Sequence, residues 1–497
     1  MLTDLLFAPV FLAYAAILVL LFVYGANFVH LTLAALRMHD RRGDAPIPSR
    51  WPAVTVQLPI YNEVYVARRL IDAVARMDYP AELLQVQVLD DSTDETVAIV
   101  AAAAAEWRAR GIDVVQVRRP GRAGFKAGAL RHGMQTVRGE FIAIFDADFV
   151  PRPDFLRQAL PRLVADPGLA FVQARWGHVN RGYSLLTRLQ ALAIDGHFAI
   201  EQAARWSTGK WFNFNGTAGI WRRSAVVDAG GWQNDTLTED LDLSYRAFRA
   251  GWRAEYLPLV EAPAELPVSF SAYRRQQHRW ARGSFECAIK HLPAIWASPV
   301  PLSRKVAATL HLTGYGIHLL LLALSVLFPI LLLESGPHPA LFALVGTLGI
   351  FNLTSLAPTV LFAAGQRQLG RRWLLQIPAI LLLSPFGSGM MVNTGRAAWQ
   401  ALRGRAGEFE RTPKFGVRDR GQDWHRLRYQ LGVDRIVIGE VALALVNLLT
   451  CVVAIQRGYW AIVVYAAIFA LGLLSAVAAT VRQSFPLGRP LAVEQPA

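Results

Sequence analysis

Cysteine is nearly absent: Cys287 and Cys451 are the only two in 497 residues, and Cys451 lies inside an apolar run. A disulfide-stapled secreted scaffold is thereby excluded, and the polar part of the chain is expected to face a reducing cytosol. Acidic residues are also short, 37 Asp and Glu against 51 Lys and Arg, which leaves a net charge of +14. Charged residues together reach only 18%, while 53% of positions are hydrophobic. That apolar share exceeds a usual soluble composition and excludes intrinsic disorder. The eleven histidines have no zinc-site spacing, and no internal repeat or nucleic-acid-binding motif is evident. The cations are therefore read as facing lipid headgroups at cytoplasmic rims, with no nucleic-acid partner.

The apolar excess is concentrated at the two ends. Residues 5–36 are almost uninterruptedly apolar and are followed by Arg37, Arg41 and Arg42. A bilayer needs about 20 apolar residues. This run is longer than a signal-peptide core, so a retained anchor with its basic flank in the cytosol is expected. Apolar runs resume at 306–333, 341–364, 373–392, 435–455 and 459–479, with Pro378 and SPFGSG interrupting the third. The wet stretch 395–433 carries nine Lys/Arg against four Asp/Glu. Were 373–392 to cross fully, that stretch would lie outside, against the positive-inside rule. Five spans plus one re-entrant or interfacial segment are expected, with six full spans as the alternative. Residues 393–405, NTGRAAWQALRGR, read as an amphipathic helix on the inner leaflet, with Trp399 and Leu402 on one side. The expected division is an anchor (1–36), a cytosolic domain (37–305), and two spans with the re-entrant segment (306–394). An interfacial helix with a loop (395–433) and two last spans with a short cytosolic tail (434–497) complete it.

Between residues 53 and 293 short apolar runs alternate with helical patterns. The runs at 53–60, 83–91, 112–117, 140–148 and 169–176 read as buried strands of a mostly parallel sheet. Helical patterns fall at 63–77, 94–110, 124–137 and 153–165. Such alternation predicts an α/β nucleotide-binding type of domain, with ligands at the carboxyl ends of the strands.

Three strand ends carry chemistry: QLPIYNE (57–63), DDSTDET (90–96) and the pair Asp146 and Asp148 in IFDADFVP. Two carboxylates one residue apart can share a hard divalent cation, Mg²⁺ or Mn²⁺, whose other positions take a diphosphate. Acidic residues in such places also cap helices, so a lone DxD is weak. RRPGRAGFKAGAL (118–130) lets backbone and the cations Arg122 and Lys126 approach a phosphate, though its spacing is not that of a P-loop. TEDLDLSYR (238–246) opens a helix with Thr238 as the possible N-cap. RRQQHRWARG (274–283) sets Gln276, Arg279 and Trp280 on one helical stretch, where a guanidinium and amide suit a diphosphate and an indole suits a sugar face.

Together with KAGAL and FNGTAGIWRRS, these motifs resemble, in order and spacing, the membrane-embedded family 2 glycosyltransferases. The cellulose-synthase-like mannan and glucomannan synthases share them most fully, with cellulose and hyaluronan synthases as wider relatives. The resemblance covers residues 53–290 and, by layout only, the membrane part. It implies an A-type glycosyltransferase fold, in which Pro59, Tyr61, Glu63 and Asp91 hold the base and ribose and Lys126 contacts the nucleotide. It further implies Asp146 and Asp148 as metal ligands, Asp240 as general base, Gln276 and Arg279 on the diphosphate, and Trp280 stacked on the acceptor sugar. FERTPK (409–414) looks like the gating loop of cellulose synthases, with Phe409, Thr412 and Lys414 in place. It departs from that loop at Arg411, where valine is expected, and at the added Pro413.

The implied activity is transfer of a hexose from a nucleotide sugar to a growing β-linked glycan, with GDP-mannose favoured and UDP-glucose second. A single-transfer enzyme with a lipid acceptor and a nucleotide-sugar-sensing membrane scaffold or transporter are the rivals; accessory subunits are not readable. Glu239 and Asp242 are expected to be structural. His311 and His318, read as two turns apart on one span, and Glu440, near Arg435, are expected in interhelix contacts or a polar glycan path. Trp176, Trp211 and Trp221 are candidates for the acceptor site or the core.

Overall fold

In the computed structural model, residues 2–38, 45–334, 352–404, 411–425, 427–429 and 431–484 are described. Within them a seven-stranded sheet is built from β1 (Val54–Ile60), β2 (Leu84–Asp90), β3 (Asp113–Val117), β4 (Phe141–Ile144), β5 (Leu169–His178), β6 (Gly219–Arg222) and β7 (Arg253–Ala264). The order is β3-β2-β1-β4-β6-β5-β7. β1 runs parallel to β2 and β4, β2 to β3, and β5 to β7, whereas β6 is antiparallel to β4 and β5. The expected mostly parallel sheet is therefore present.

β2 and β4 are buried along their whole length, as continuous apolar runs covered on both faces should be. The polar residues inside these runs find each other. Thr55 lies in register with Gln85 and Gln57 with Gln87; Thr55 Oγ1 donates to Gln85 Oε1 (2.8 Å) and Gln57 Nε2 to Gln87 Oε1 (2.9 Å). Buried polar groups thus keep their hydrogen bonds. From β1 the chain goes outward to β2 and β3, then returns to β4 on the other side. This reversal leaves a crevice at the carboxyl ends of β1, β2 and β4.

The four expected helices form, shorter than their patterns: Ala67–Ala75, Thr96–Ala109, Phe125–Gly133 and Phe155–Ala165. Their missing first turns are taken by strand-to-helix turns. Asp94 Oδ1 accepts from Thr96 N (3.0 Å), and Gly124, which precedes its helix, has a left-handed φ of 71° that no α-helix interior tolerates.

Helices Phe7–Leu36, Gly316–Leu333, Ile436–Gln456 and Trp460–Gln483 are long and apolar enough to cross a membrane. A fifth candidate is the pair Trp373–Ser388 and Met391–Leu402, bent by 46°. The expected span 306–333 is broken. Leu302–Leu312 and Gly316–Glu334 are separate helices, because the turn Thr313–Gly316 closes through Gly316 N donating to Thr313 O (2.7 Å). His311 and His318 therefore share no helix face, and His311 Nδ1 instead shares a hydrogen bond with the Tyr245 hydroxyl (2.8 Å). Residues 341–351 of the run 341–364 lie outside the described residues; its end joins the helix Ala357–Gln368. Met391–Leu402 buries Asn393, Ala397 and Ala401 against Phe270–Ala297 and leaves Trp399 and Leu402 exposed. Glu440 pairs with a basic group, buried Arg274 (2.8 Å), the interhelix contact expected of it, tying an apolar helix to the Phe270–Ala297 helix. Trp211 and Trp221 pack in the aromatic core beside the sheet.

Candidate active site

The carboxyl ends of β1, β2 and β4 open into a cleft of ≈ 180 Å³. Its opposite wall is made by the helices Glu239–Arg249 and Phe270–Ala297 and by residues 411–414. Pro59, Tyr61, Glu63, Asp91, Lys126, Asp146, Asp148, Asp240, Gln276, Arg279, Trp280, Thr412 and Lys414 all line it. Phe409 lies outside the described residues.

On the strand side, Asn62 is locked in the left-handed region (φ 54°). Its Oδ1 accepts from Thr93 N (2.9 Å) and its own N–H donates to Ser92 Oγ (2.9 Å). This joins the ends of β1 and β2 and turns Tyr61 and Glu63 into the cleft. Asp91 receives a fork from Arg119, Nε to Oδ1 at 2.8 Å and Nη2 to Oδ2 at 2.6 Å. The Arg122 guanidinium lies 3.5 Å over the Tyr61 ring. Glu63 receives a second fork, from Arg411 Nε and Nη2, both at 2.9 Å. Burial pushes Glu63 up to about 7 although Arg411 opposes the shift.

At the floor, Lys126 Nζ stands 2.6 Å from Asp146 Oδ1 and 3.6 Å from Glu239 Oε1, and donates to the Gly216 carbonyl (2.9 Å). Burial disfavours its charge, but Asp146 and Glu239 outweigh that and hold it above the usual lysine range. Burial raises Asp146, against Lys126. Lys414 Nζ sits on Asp148 Oδ2 (2.5 Å) and on the Glu265 carbonyl (2.6 Å). The Glu265 carboxylate accepts from the N–H groups of Phe415 and Gly416 at 3.0 and 3.1 Å. Arg279 Nη1 donates to Thr412 Oγ1 (3.3 Å).

On the helix side, burial and the neighbouring Glu239 push Asp240 up to about 7, with Lys126 opposing. Its helix is held by the next acid, half a turn on and facing the other way. Asp242 Oδ1 bonds His291 Nε2 (2.9 Å) and lies 2.7 Å from Lys290 Nζ, while its Oδ2 accepts from Arg246 Nε (2.9 Å). These partners hold Asp242 well below the usual carboxylate range despite its burial. Thr238 stands at the N-cap position as expected, but its side chain accepts no capping bond and its hydroxyl faces Cys287 Sγ at 3.5 Å.

Three residues escaped the sequence reading. Glu239, expected to be structural, lines the cleft beside Lys126. Asn215 lines it too, its amide held between His197 Nε2 (3.1 Å) and Gln202 Nε2 (2.5 Å). Both holders sit on the π-helix His197–Gln202, an insertion frequent at functional sites. Glu265 anchors residues 415 and 416 from the far end of β7. Asn215 lies inside the FNGTAGIWRRS motif, to which the sequence reading attaches no role, and nothing in the order of residues marks Glu265, whose partners are distant in sequence. Of the three candidate tryptophans, Trp176 alone lines the cleft among the described residues.

Among the described residues no group of three or more His, Cys, Asp or Glu gathers to hold a metal. The chain itself thus offers the Asp146 and Asp148 carboxylates, each already paired with an ammonium group. That donor set fits Mg²⁺ or Mn²⁺, which take one or two carboxylates and leave positions for phosphate and water.

Sheet order, acidic strand ends and cleft together define a glycosyltransferase domain of the GT-A type. Residues 52–283 match the family described as "Glycosyltransferase like family 2", and this segment of the chain is a domain of that family. The solved mannosyltransferase PcManGT from Pyrobaculum calidifontis, in complex with GDP-Man and Mn2+, shares the fold with a TM-score of 0.50 and 24% identity. The likeness covers 72% of this chain and 99% of that one. Glucomannan 4-beta-mannosyltransferase 2 of Arabidopsis thaliana is 46% identical over 239 residues, 47% of this chain and 45% of that protein. Glucomannan 4-beta-mannosyltransferase 1 of Oryza sativa subsp. japonica is 43% identical over 273 residues, 52% of each. The chain spans about half the length of these curated relatives.

Proposed function

We propose that the protein is an inverting, metal-dependent hexosyltransferase that extends a β-linked polysaccharide from a nucleotide sugar. GDP-mannose is the favoured donor and UDP-glucose the second. The observation that carries this reading is one cleft lined by Asp240, by the pair Asp146 and Asp148, and by Gln276, Arg279 and Trp280. The relatives named for mannosyl transfer support the sugar.

In this reading Asp240 removes the acceptor hydroxyl proton as that oxygen attacks the anomeric carbon. The bond to the diphosphate breaks with its electron pair leaving on phosphate oxygen. A base poised near neutral pH suits that proton transfer. One base suffices for direct displacement, so an α-linked donor gives a β-linked product. Lys126 and Arg279 face the charge that develops on the leaving group. Asp146 and Asp148 would hold Mg²⁺ or Mn²⁺, which when bound neutralises diphosphate charge. Trp280 offers a ring face to the acceptor sugar, and Thr412 and Lys414 belong to a loop that covers the donor. The basic stretch 395–433 supports a cytosolic cleft by the positive-inside rule, with five spans and one re-entrant or interfacial segment guiding the glycan outward in this reading.

The test is to incubate the full chain in membranes with a panel of nucleotide sugars and Mg²⁺ or Mn²⁺, then size the product and digest it with linkage-specific glycanases. A glycanase-sensitive polymer is expected. A lipid-extractable product of one-sugar size would replace the polymer reading with glycolipid synthesis.

A further inference from the structure

Two side chains five residues apart reach one amide. Gln202 Nε2 donates to the Asn213 carbonyl (3.0 Å) and to Asn215 Oδ1 (2.5 Å), and His197 Nε2 lies 3.1 Å from Asn215 Nδ2. In an α-helix residues five apart stand about 140° apart around the axis and face different sides. The π-helix His197–Gln202, with its i to i+5 pattern, stacks its first and last residues on one face.

The polarity of this chain follows link by link. A carbonyl only accepts, so Asn213 O turns the Gln202 NH₂ group toward itself and toward Asn215. Asn215 therefore presents Oδ1 to Gln202 and Nδ2 to His197. His197 Nε2 must accept, which leaves the neutral ring's proton on Nδ1. There Glu201 Oε2 stands at 3.6 Å, itself held by Arg205 Nη1 at 3.1 Å. Asn215 keeps one N–H with no protein partner among the described residues, and it lines the cleft. Its neighbours are packed against the base. A Cβ on Gly216 would stand 3.2 Å from Asp240 Oδ2. Phe214 N donates to Ser244 Oγ (2.9 Å), whose hydroxyl donates to the Asp240 carbonyl (2.6 Å). The same π-helix sets the ring wall: Phe198 packs on Trp176 with 5.3 Å between centroids, and Trp176 on Trp280 with 6.4 Å.

A carboxylate that takes a proton, beside an amide N–H that gives a hydrogen bond, matches two hydroxyls on neighbouring carbons of a sugar. We propose that Asn215 donates its remaining N–H to the acceptor hydroxyl next to the attacking one, and that His197 and Gln202 are positioning residues that fix its amide for this contact. The inference rests on the transferase reading above and adds to it the contact that places the acceptor.

The experiment follows the full chain in lipid nanodiscs with GDP-mannose or UDP-glucose and Mn²⁺. It counts sugar transferred to glycan and sugar released to water, and reads donor affinity by calorimetry. Asn215→Ala and His197→Ala should each lower transfer about tenfold or more and leave donor affinity unchanged. The share of donor hydrolysed to free sugar should rise, because water takes the place of a misplaced acceptor. His197→Gln puts an acceptor oxygen where Nε2 stands and should return transfer to within about threefold of wild type. His197→Asn reaches only the Nδ1 side and should stay as low as the alanine variant. A merely structural role would not separate these two. Equal transfer by the glutamine and asparagine variants, or transfer by His197→Ala within about twofold of wild type, overturns the positioning role. Weaker donor binding by Asn215→Ala moves its contact to the donor and overturns the acceptor contact. In each of these cases wild-type turnover leaves the transferase reading standing. A wild type that consumes no nucleotide sugar overturns that reading and the inference with it.

Discussion

The two walls of the cleft are built on different principles. On the strand wall Asp91 and Asp146 are met by Arg119 and Lys126 from nearby in the chain, but Glu63 and Asp148 are closed off by cations that arrive from elsewhere: Arg411 and Lys414, from a segment more than two hundred residues downstream. On the helix wall Asp240 is placed by neighbours within its own helical layer, with Asp242 held by Arg246, Lys290 and His291. A wall whose charges are satisfied by a distant segment can open when a ligand of like charge pattern enters. A wall knit by adjacent helices holds a base in one position. The first arrangement suits selection of a donor, the second suits chemistry.

That contrast can be broken by substitution. The largest effect is expected for Asp240→Asn, which should lower kcat by about 10² to 10⁴ while donor binding in a calorimeter stays intact. Retained turnover would remove Asp240 from the mechanism. Asp242→Ala removes the buried carboxylate shared by buried His291 and half-buried Arg246 and Lys290 and should cost about 3–5 kcal/mol of stability. Its thermal shift should shrink at low pH. The folded carboxyl lies below its unfolded value, so its contribution is full above the unfolded pKa of about 3.9 and is lost as pH falls through the folded one.

The pH–rate profile of kcat/KM sharpens the same wall. Asp240 acts as a base only when ionised, so the rate should rise through pH about 7 and fall about tenfold per unit below it. For the strand wall, Glu265→Ala removes the acceptor of the Phe415 and Gly416 N–H groups. About 1–3 kcal/mol of local stability should go with it, seen as faster amide exchange at residues 411–416 with Asp240's helix unchanged. Arg68→Ala, which breaks the exposed pairs to Asp72 and Glu106, should change stability by no more than about 1 kcal/mol.

Much of the domain was legible because its signals are local. Five apolar runs bounded by acidic or turn residues became five of the seven strands, and each motif at a strand end reached the cleft. Helix starts were misjudged where side chains such as Asp94 close a turn instead of a helix, a choice that depends on φ at the neighbouring residues. The break between Leu312 and Gly316 was hidden because apolar composition continues across it; Tyr24, from the first helix, meets Thr313 there at 2.8 Å.

By itself the order of residues determined the mostly parallel sheet, the apolar ends of the chain and the identity of the chemical groups, since periodicity and residue type act over a few positions. Only the tertiary structure decided who faces whom. Arg411, met in the sequence as a misfit in a loop, lies in a fork on Glu63, and Glu440 reaches across to Arg274. Pairing of buried charge is settled by burial and geometry, because a desolvated carboxylate takes whichever cation the fold brings within reach, and sequence separation has no part in that choice.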